Sequence, residues 1–79
     1  MYYVYIINSI HSDAIYVGMT KDLKIRLHEH NYKKVNHTKK YTPWKLTWYG
    51  AFNNKLKAHS FEKYLKTGSG AAFRNKRLV

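Results

Sequence analysis

None of the 79 residues is a cysteine, so neither a disulfide framework nor a thiolate zinc site is available to staple this short chain. The absence of Cys also fits a cytoplasmic protein. Proline occurs once, at Pro43, and glycine four times, which leaves no Pro- or Gly-rich linker and no low-complexity segment. Acidic residues are scarce: Asp13, Asp22, Glu29 and Glu62 are all there are. Two-metal hydrolysis needs several clustered carboxylates, and four scattered ones do not supply them. The longest apolar run, Met1 to Ile7, lacks a preceding basic region and is broken by Asn8. It is too short for a signal peptide or a transmembrane span.

What the chain does have is positive charge. Fifteen Lys and Arg against four acids give a formal net charge of +11 and a pI near 10.0. An imbalance of this size points to a polyanionic partner. The basic residues are spread along the chain instead of following one amphipathic helix, which favours nucleic acid over a membrane surface. Lys21, Lys33, Lys34, Lys39 and Lys40 are the candidate nucleic-acid contacts. The alternative, a merely solubilising surface, sits poorly with a charge above the magnitude of about 2 to 8 that suffices for a small soluble domain. Aromatic residues are the second resource, at 16% with eight Tyr and two Trp. They are the bulkiest way to fill a small core that has no covalent staples.

The length allows one domain, residues 1–79. Residues 2–8 and 14–18 are rich in Tyr, Val and Ile and flank a polar break, as expected of a β-hairpin. Alternation puts Tyr3, Tyr5 and Ile7 on one strand face, and an antiparallel register with Tyr5 opposite Tyr16 would set two phenols side by side. Thr20 is a plausible N-cap for a helix running to about Tyr32, with Leu23 and Leu27 as its apolar stripe. Residues 44–52 alternate as a third strand. Asn53 or Asn54 then caps a second helix that runs to about Thr67 with Gly68 as its stop, and Ser69 caps a short third helix. The expected class is α+β, a three-stranded antiparallel sheet flanked by helices in the order β-β-α-β-α-α.

Three groups of residues could carry chemistry. Ala58, Phe61 and Leu65 form a core-facing helical stripe whose missing member is Glu62. A carboxylate at the border of a core needs a cation, either a metal ion or, equally well by spacing, Lys66 one turn on. Arg26 and His30 lie one turn apart, although Asp22 and Glu29 are local partners enough to make them an ordinary solvated face. Tyr3, Tyr5 and Tyr16, taken singly, read as sheet packing.

Taken in order, these residues resemble the GIY-YIG nuclease domain. Tyr3-Val4-Tyr5 and Tyr16-Val17-Gly18 flank a short hairpin, a helix with Arg26 and His30-Asn31 follows, and Lys40-Tyr41-Thr42 and Phe61-Glu62-Lys63-Tyr64-Leu65-Lys66 come downstream. The likeness covers nearly the whole chain and is closest to the small stand-alone bacterial members. It implies Tyr5 and Tyr16 around an attacking water, Arg26 on the scissile phosphate, His30 in proton transfer or orientation, and Glu62 holding Mg²⁺ or Mn²⁺. Gly18 would permit close backbone packing beside the site. The departures are Tyr3 in place of the first motif glycine, and Met19 where a basic residue often follows the second motif. Asn75 is the candidate for an asparagine common near the end of the domain.

The function this implies is a divalent-metal-dependent endonuclease or phosphodiesterase acting on DNA, in repair or recombination, with a protein partner supplying specificity. One Glu plus waters and a phosphate oxygen would make an open magnesium site. A phenol, with an ordinary pKa of about 10, serves as base only if nearby cations lower it. The alternative is a nucleic-acid-binding module that keeps the fold and the basic surface but cuts nothing.

Overall fold

The computed structural model of the protein describes residues 1–32 and 34–78. Three strands, β1 (Tyr2–Ser9), β2 (Ile15–Thr20) and β3 (Trp44–Phe52), form one antiparallel sheet in the order β2-β1-β3. Helix α1 (Leu23–Asn31) follows β2. A 3₁₀ turn (Lys39–Tyr41) precedes β3, and α2 (Lys55–Leu65) and α3 (Gly68–Arg77) complete the chain. The order β-β-α-β-α-α and the α+β class are those expected. The central strand explains its own sequence: β1 is covered on both faces, so Val4, Tyr5, Ile6 and Ile7 are all buried and the run is apolar without interruption.

Alternation along β1 sorts the core into two halves. Val4 and Ile6 meet Val17, Ala58 and Leu65, the last two from α2. Tyr5 and Ile7 meet Trp44, with Leu23 and Leu27 of α1 packed over them. On β3 the pattern changes at a bulge opposite Ile6 and Ile7. Trp48 pairs with Ile6 and joins the α2 half, Leu46 pairs with Ile7 and joins the α1 half, and Thr47 is the extra residue between them. The Thr47 hydroxyl lies 3.1 Å from the Ile6 carbonyl and 2.7 Å from Asn8 Oδ1, which anchors the bulge.

Three local expectations need correction. Asp22, not Thr20, caps α1, its Oδ1 accepting from Ile25 N at 3.0 Å. Thr20 instead uses its hydroxyl to shape the turn into the helix, accepting from Asp22 N at 3.1 Å. Asn54 caps α2 as one of two expected candidates, but Gly68 is no helix stop. Thr67 caps α3, accepting from Gly70 N, and α3 begins at Gly68, two residues before the expected start behind Ser69. The tight corner depends on Gly70, where a β-carbon would run into the Tyr64 carbonyl.

Candidate active site

The hairpin register brings Tyr5 opposite Gly18, and Tyr16 opposite Ile7. The expected pairing of Tyr5 with Tyr16 is therefore off by two residues. The shift preserves the face, so the two phenols still lie on the α1 side as diagonal neighbours, with ring centroids 6.4 Å apart. Direct opposition is excluded because the Tyr5 ring lies across the Cα of its true partner. A β-carbon on Gly18 would come 2.6 Å from Tyr5 Cζ and collide with the hydroxyl as well. Gly18 is the seat on which the Tyr5 phenol rests.

Helix α1 delivers His30 to the same phenol. His30 is fully buried, its Nε2 lies 2.8 Å from Tyr5 Oη, and its ring is 5.0 Å from that of Tyr16. Its other nitrogen, Nδ1, is 2.7 Å from the hydroxyl of buried Thr38. Thr38 is fixed in turn, because Trp44 Nε1 donates to its carbonyl at 2.9 Å. Asn31 clamps the end of α1 onto β3, donating to the Trp44 carbonyl at 3.1 Å and accepting from the Trp44 amide. Thr38 was invisible in the sequence: a lone threonine in a basic loop carries no spacing signal toward a histidine eight residues earlier.

Burial dominates the titration of this group. It pushes the Tyr5 phenol up to about 12, the Arg26 guanidinium beside it only partly offsetting the loss of water. Arg26 does lower the Tyr5 phenol, as expected of a nearby cation, but desolvation outweighs it, and the charges of Tyr16 and Glu62 also oppose ionisation. Burial, reinforced by Arg26, pushes His30 down to about 4. For Arg26, burial works against the charge, but Glu29 and Tyr5 outweigh it and its pKa rises. Tyr5 is therefore protonated and His30 neutral at pH 7. Thr38 Oγ1 also lies 3.4 Å from the Val35 carbonyl and donates there. His30 Nδ1–H then donates to Thr38, and Nε2 accepts from the Tyr5 hydroxyl. In this arrangement the Tyr5 hydroxyl, His30 Nδ1–H and the Thr38 hydroxyl each have an acceptor.

Glu62 approaches from the opposite face of the sheet. Because β2 is an outer strand, side chains from α2 reach around its edge to the α1 side. Lys66 Nζ stands 5.8 Å from the Tyr16 ring centroid, and the Glu62 charge is felt at Tyr5. The Glu62 side chain is only 15% exposed. Its Oε2 accepts from Lys66 Nζ at 2.9 Å, and Oε1 is 3.6 Å from His59 Nδ1. The lysine partner raised by the spacing is thus present. Oε1 is the less committed oxygen, its nearest cationic partner the more distant His59. Among the described residues no three His, Cys, Asp or Glu side chains cluster, so a closed all-protein metal cage is not there. A single half-enclosed carboxylate fits a hard, largely hydrated divalent cation with open coordination positions.

Arg26 lies within this cluster and is also tied to Glu29, Nη1 donating to Oε1 at 3.0 Å, so the local pairing and the site role coexist. Tyr3 shares the Tyr5 face one step along β1, whereas Val4 and Val17 point into the α2 half of the core. Lys21, Lys34, Lys39 and Lys40 are exposed, and Lys33 lies outside the described residues. Asn75 is not brought to the cluster. It is exposed on α3, and its side chain accepts from neighbouring Arg74 at 3.4 Å.

A phenol on a glycine seat, a histidine behind it, an arginine beside it and a helical glutamate across the strand edge make a recognisable arrangement. The model of the GIY-YIG catalytic domain matches residues 1–77. The chain belongs to the GIY-YIG family. Domains of this family are usually endonucleases that act on nucleic acid and generally use divalent metals. Neither a curated protein nor a solved structure matches the chain significantly. No helix among the described residues is long and apolar enough to cross a membrane.

Proposed function

We propose that this GIY-YIG protein is an endonuclease that hydrolyses phosphodiester bonds in DNA with a divalent metal ion, Mg²⁺ or Mn²⁺, in repair or recombination. The observation that carries the reading is the directed chain Arg26, Tyr5, His30, Thr38. Arg26 stabilises the phenol oxygen and Thr38 fixes the imidazole tautomer. His30 Nε2 is thereby left as an acceptor 2.8 Å from the Tyr5 hydroxyl. A water attacking phosphorus passes its proton to the Tyr5 oxygen while Tyr5 passes its own to His30 Nε2; the bond from phosphorus to the leaving oxygen breaks, and that oxygen takes up a proton from solvent. The relay avoids a free tyrosinate, and the imidazolium it forms, which burial also disfavours, is transient and returns its proton to solvent through Tyr5. Arg26 faces the non-bridging oxygens, where negative charge builds, and Tyr16 closes the other side of the attacking water. Glu62 would hold the metal, which when bound supplies Lewis-acid stabilisation of the phosphate.

Lys66 on Glu62 Oε2 favours a second reading, a binding module whose glutamate is only an ion-pair partner. Glu62→Gln separates the two. On the nuclease reading the variant melts like the parent, loses Mg²⁺-dependent cleavage of duplex and branched DNA by about 100-fold or more, and still binds DNA in chelator. Unchanged cleavage by a protein that melts normally would remove Glu62 from the site. A parent protein that binds but cuts none of these DNAs would favour the binding module.

A further inference from the structure

A concavity lies at the end of the sheet, on the same face as Tyr5. It has a volume of about 310 Å³ and is lined by Tyr3, Tyr49, Leu23, Lys21, Lys24 and Asp22. That volume is at the small end of the range of ligand sites, about 300 to 1,000 Å³. Only Val4 stands between Tyr3 and Tyr5 on β1, and Tyr49 pairs directly with Tyr5 across the β1–β3 ladder, so the cleft adjoins the candidate active site. The proton relay makes no use of it.

Its walls are of two kinds. Tyr49 is 53% exposed, unusual for a large ring, and Tyr3 fixes it edge-on with centroids 6.0 Å apart and planes at 66°. One tyrosine thus braces another and leaves a flat aromatic face toward solvent. At the rim stand Lys21 and Lys24, neither in an ion pair among the described residues. Lys21 instead lies 5.2 Å over the Tyr2 ring, at the end of the sheet. The one acid, Asp22, already accepts from Ile25 N. Asp22 is exposed, and its charge disfavours a phosphate beside it, leaving the lysines as the anion-binding part of the lining.

An aromatic plate with cations at its rim matches a nucleotide, a flat base joined to an anionic phosphate. In a duplex the faces of each base are covered by its neighbours, so a base reaching Tyr49 must be unstacked. We propose that this cleft binds one unpaired nucleotide of the substrate strand next to the cut, its base stacked on Tyr49 and its phosphate at Lys21 and Lys24. The inference rests on the reading of the Tyr5 cluster as a phosphodiester site. It gives the protein a preference for frayed, flapped or single-stranded junctions over continuous duplex.

The test uses a short oligothymidylate carrying one 2-aminopurine, titrated with full-length protein in chelator so that no cleavage intervenes. Quenching of the 2-aminopurine is expected with the parent and with Tyr49→Phe. With Tyr49→Leu it should be lost and binding should weaken about tenfold, the size of one base–aromatic stack. A strand with an abasic site in place of the probe should bind parent and Tyr49→Leu alike. Lys24→Gln should lower the slope of log K against log salt by about 0.7. Equal quenching and affinity for Tyr49→Leu and parent, with both melting normally, would overturn the proposal, as would tighter binding of an unbroken duplex. Persisting quenching in a protein that never cuts would count against the nuclease reading alone.

Discussion

On the α2 side of the sheet, Val4, Ile6, Val17, Ala58 and Leu65 fill a core of hydrocarbon. On the α1 side, Tyr5, Ile7 and Trp44 share the interior with His30 and Thr38, each held by specific hydrogen bonds. The first half tolerates any shape-filling set of apolar side chains, because dispersion and desolvation are non-directional. The second half works only if each donor meets its acceptor, since an unsatisfied buried polar group costs more than the bond contributes. One sheet thus separates the part that holds the chain folded from the part that is chemically poised.

The sharpest way to break that division is Leu65→Ala. It opens a cavity in the hydrocarbon half and should cost about 2 to 5 kcal/mol in a urea melt, while the rate of cleavage per folded molecule stays at the parental value. A change in that rate would mean the two halves are coupled through the sheet.

The second prediction concerns acid. His30 titrates near 4 when folded and near 6.5 when unfolded, so between these values the unfolded chain binds the extra proton. Stability should fall as pH drops from 6.5 to 4, by about 3 kcal/mol in all. Urea melts across this window check it, and His30→Gln should flatten the slope. A parental slope in that variant would move the acid sensitivity away from the polar half.

The smallest expected effect comes from Gly18→Ala. The added methyl displaces the Tyr5 ring, costing about 1 to 3 kcal/mol by overpacking and lengthening the bond to His30. Cleavage should fall further than the melt alone accounts for. An alanine variant that cuts normally would show that Tyr5 need not rest where it does.

The apolar half was largely legible in the sequence. The stripe Ala58, Phe61, Leu65 and the continuous apolar run of β1 state their partners through period and composition, and the element order followed from them. The α1 half was less so. Tyr5, Tyr16, Arg26, His30 and Glu62 were found as types in order, but the Thr38 link arises only when the 34–43 loop folds back over α1. The hairpin register was missed because polar loop composition does not fix loop length, and the glycine seat is a steric fact that alternation cannot express. The β3 bulge is similar. Strict alternation places Trp44, Leu46 and Trp48 on one face, and only the extra residue at Thr47 sends Trp48 to the other.

The seat at Gly18 makes the length of the 10–14 connection a gauge for the molecule. Sliding β2 by one residue along β1 would turn Tyr16 and Gly18 over to the hydrocarbon side; sliding it by two would restore the face but put a side chain under the Tyr5 ring. Insertions and deletions in this hairpin are therefore admissible only where the loop absorbs them as slack. A loop with no side chain in the candidate site sets the alignment on which the phenol depends.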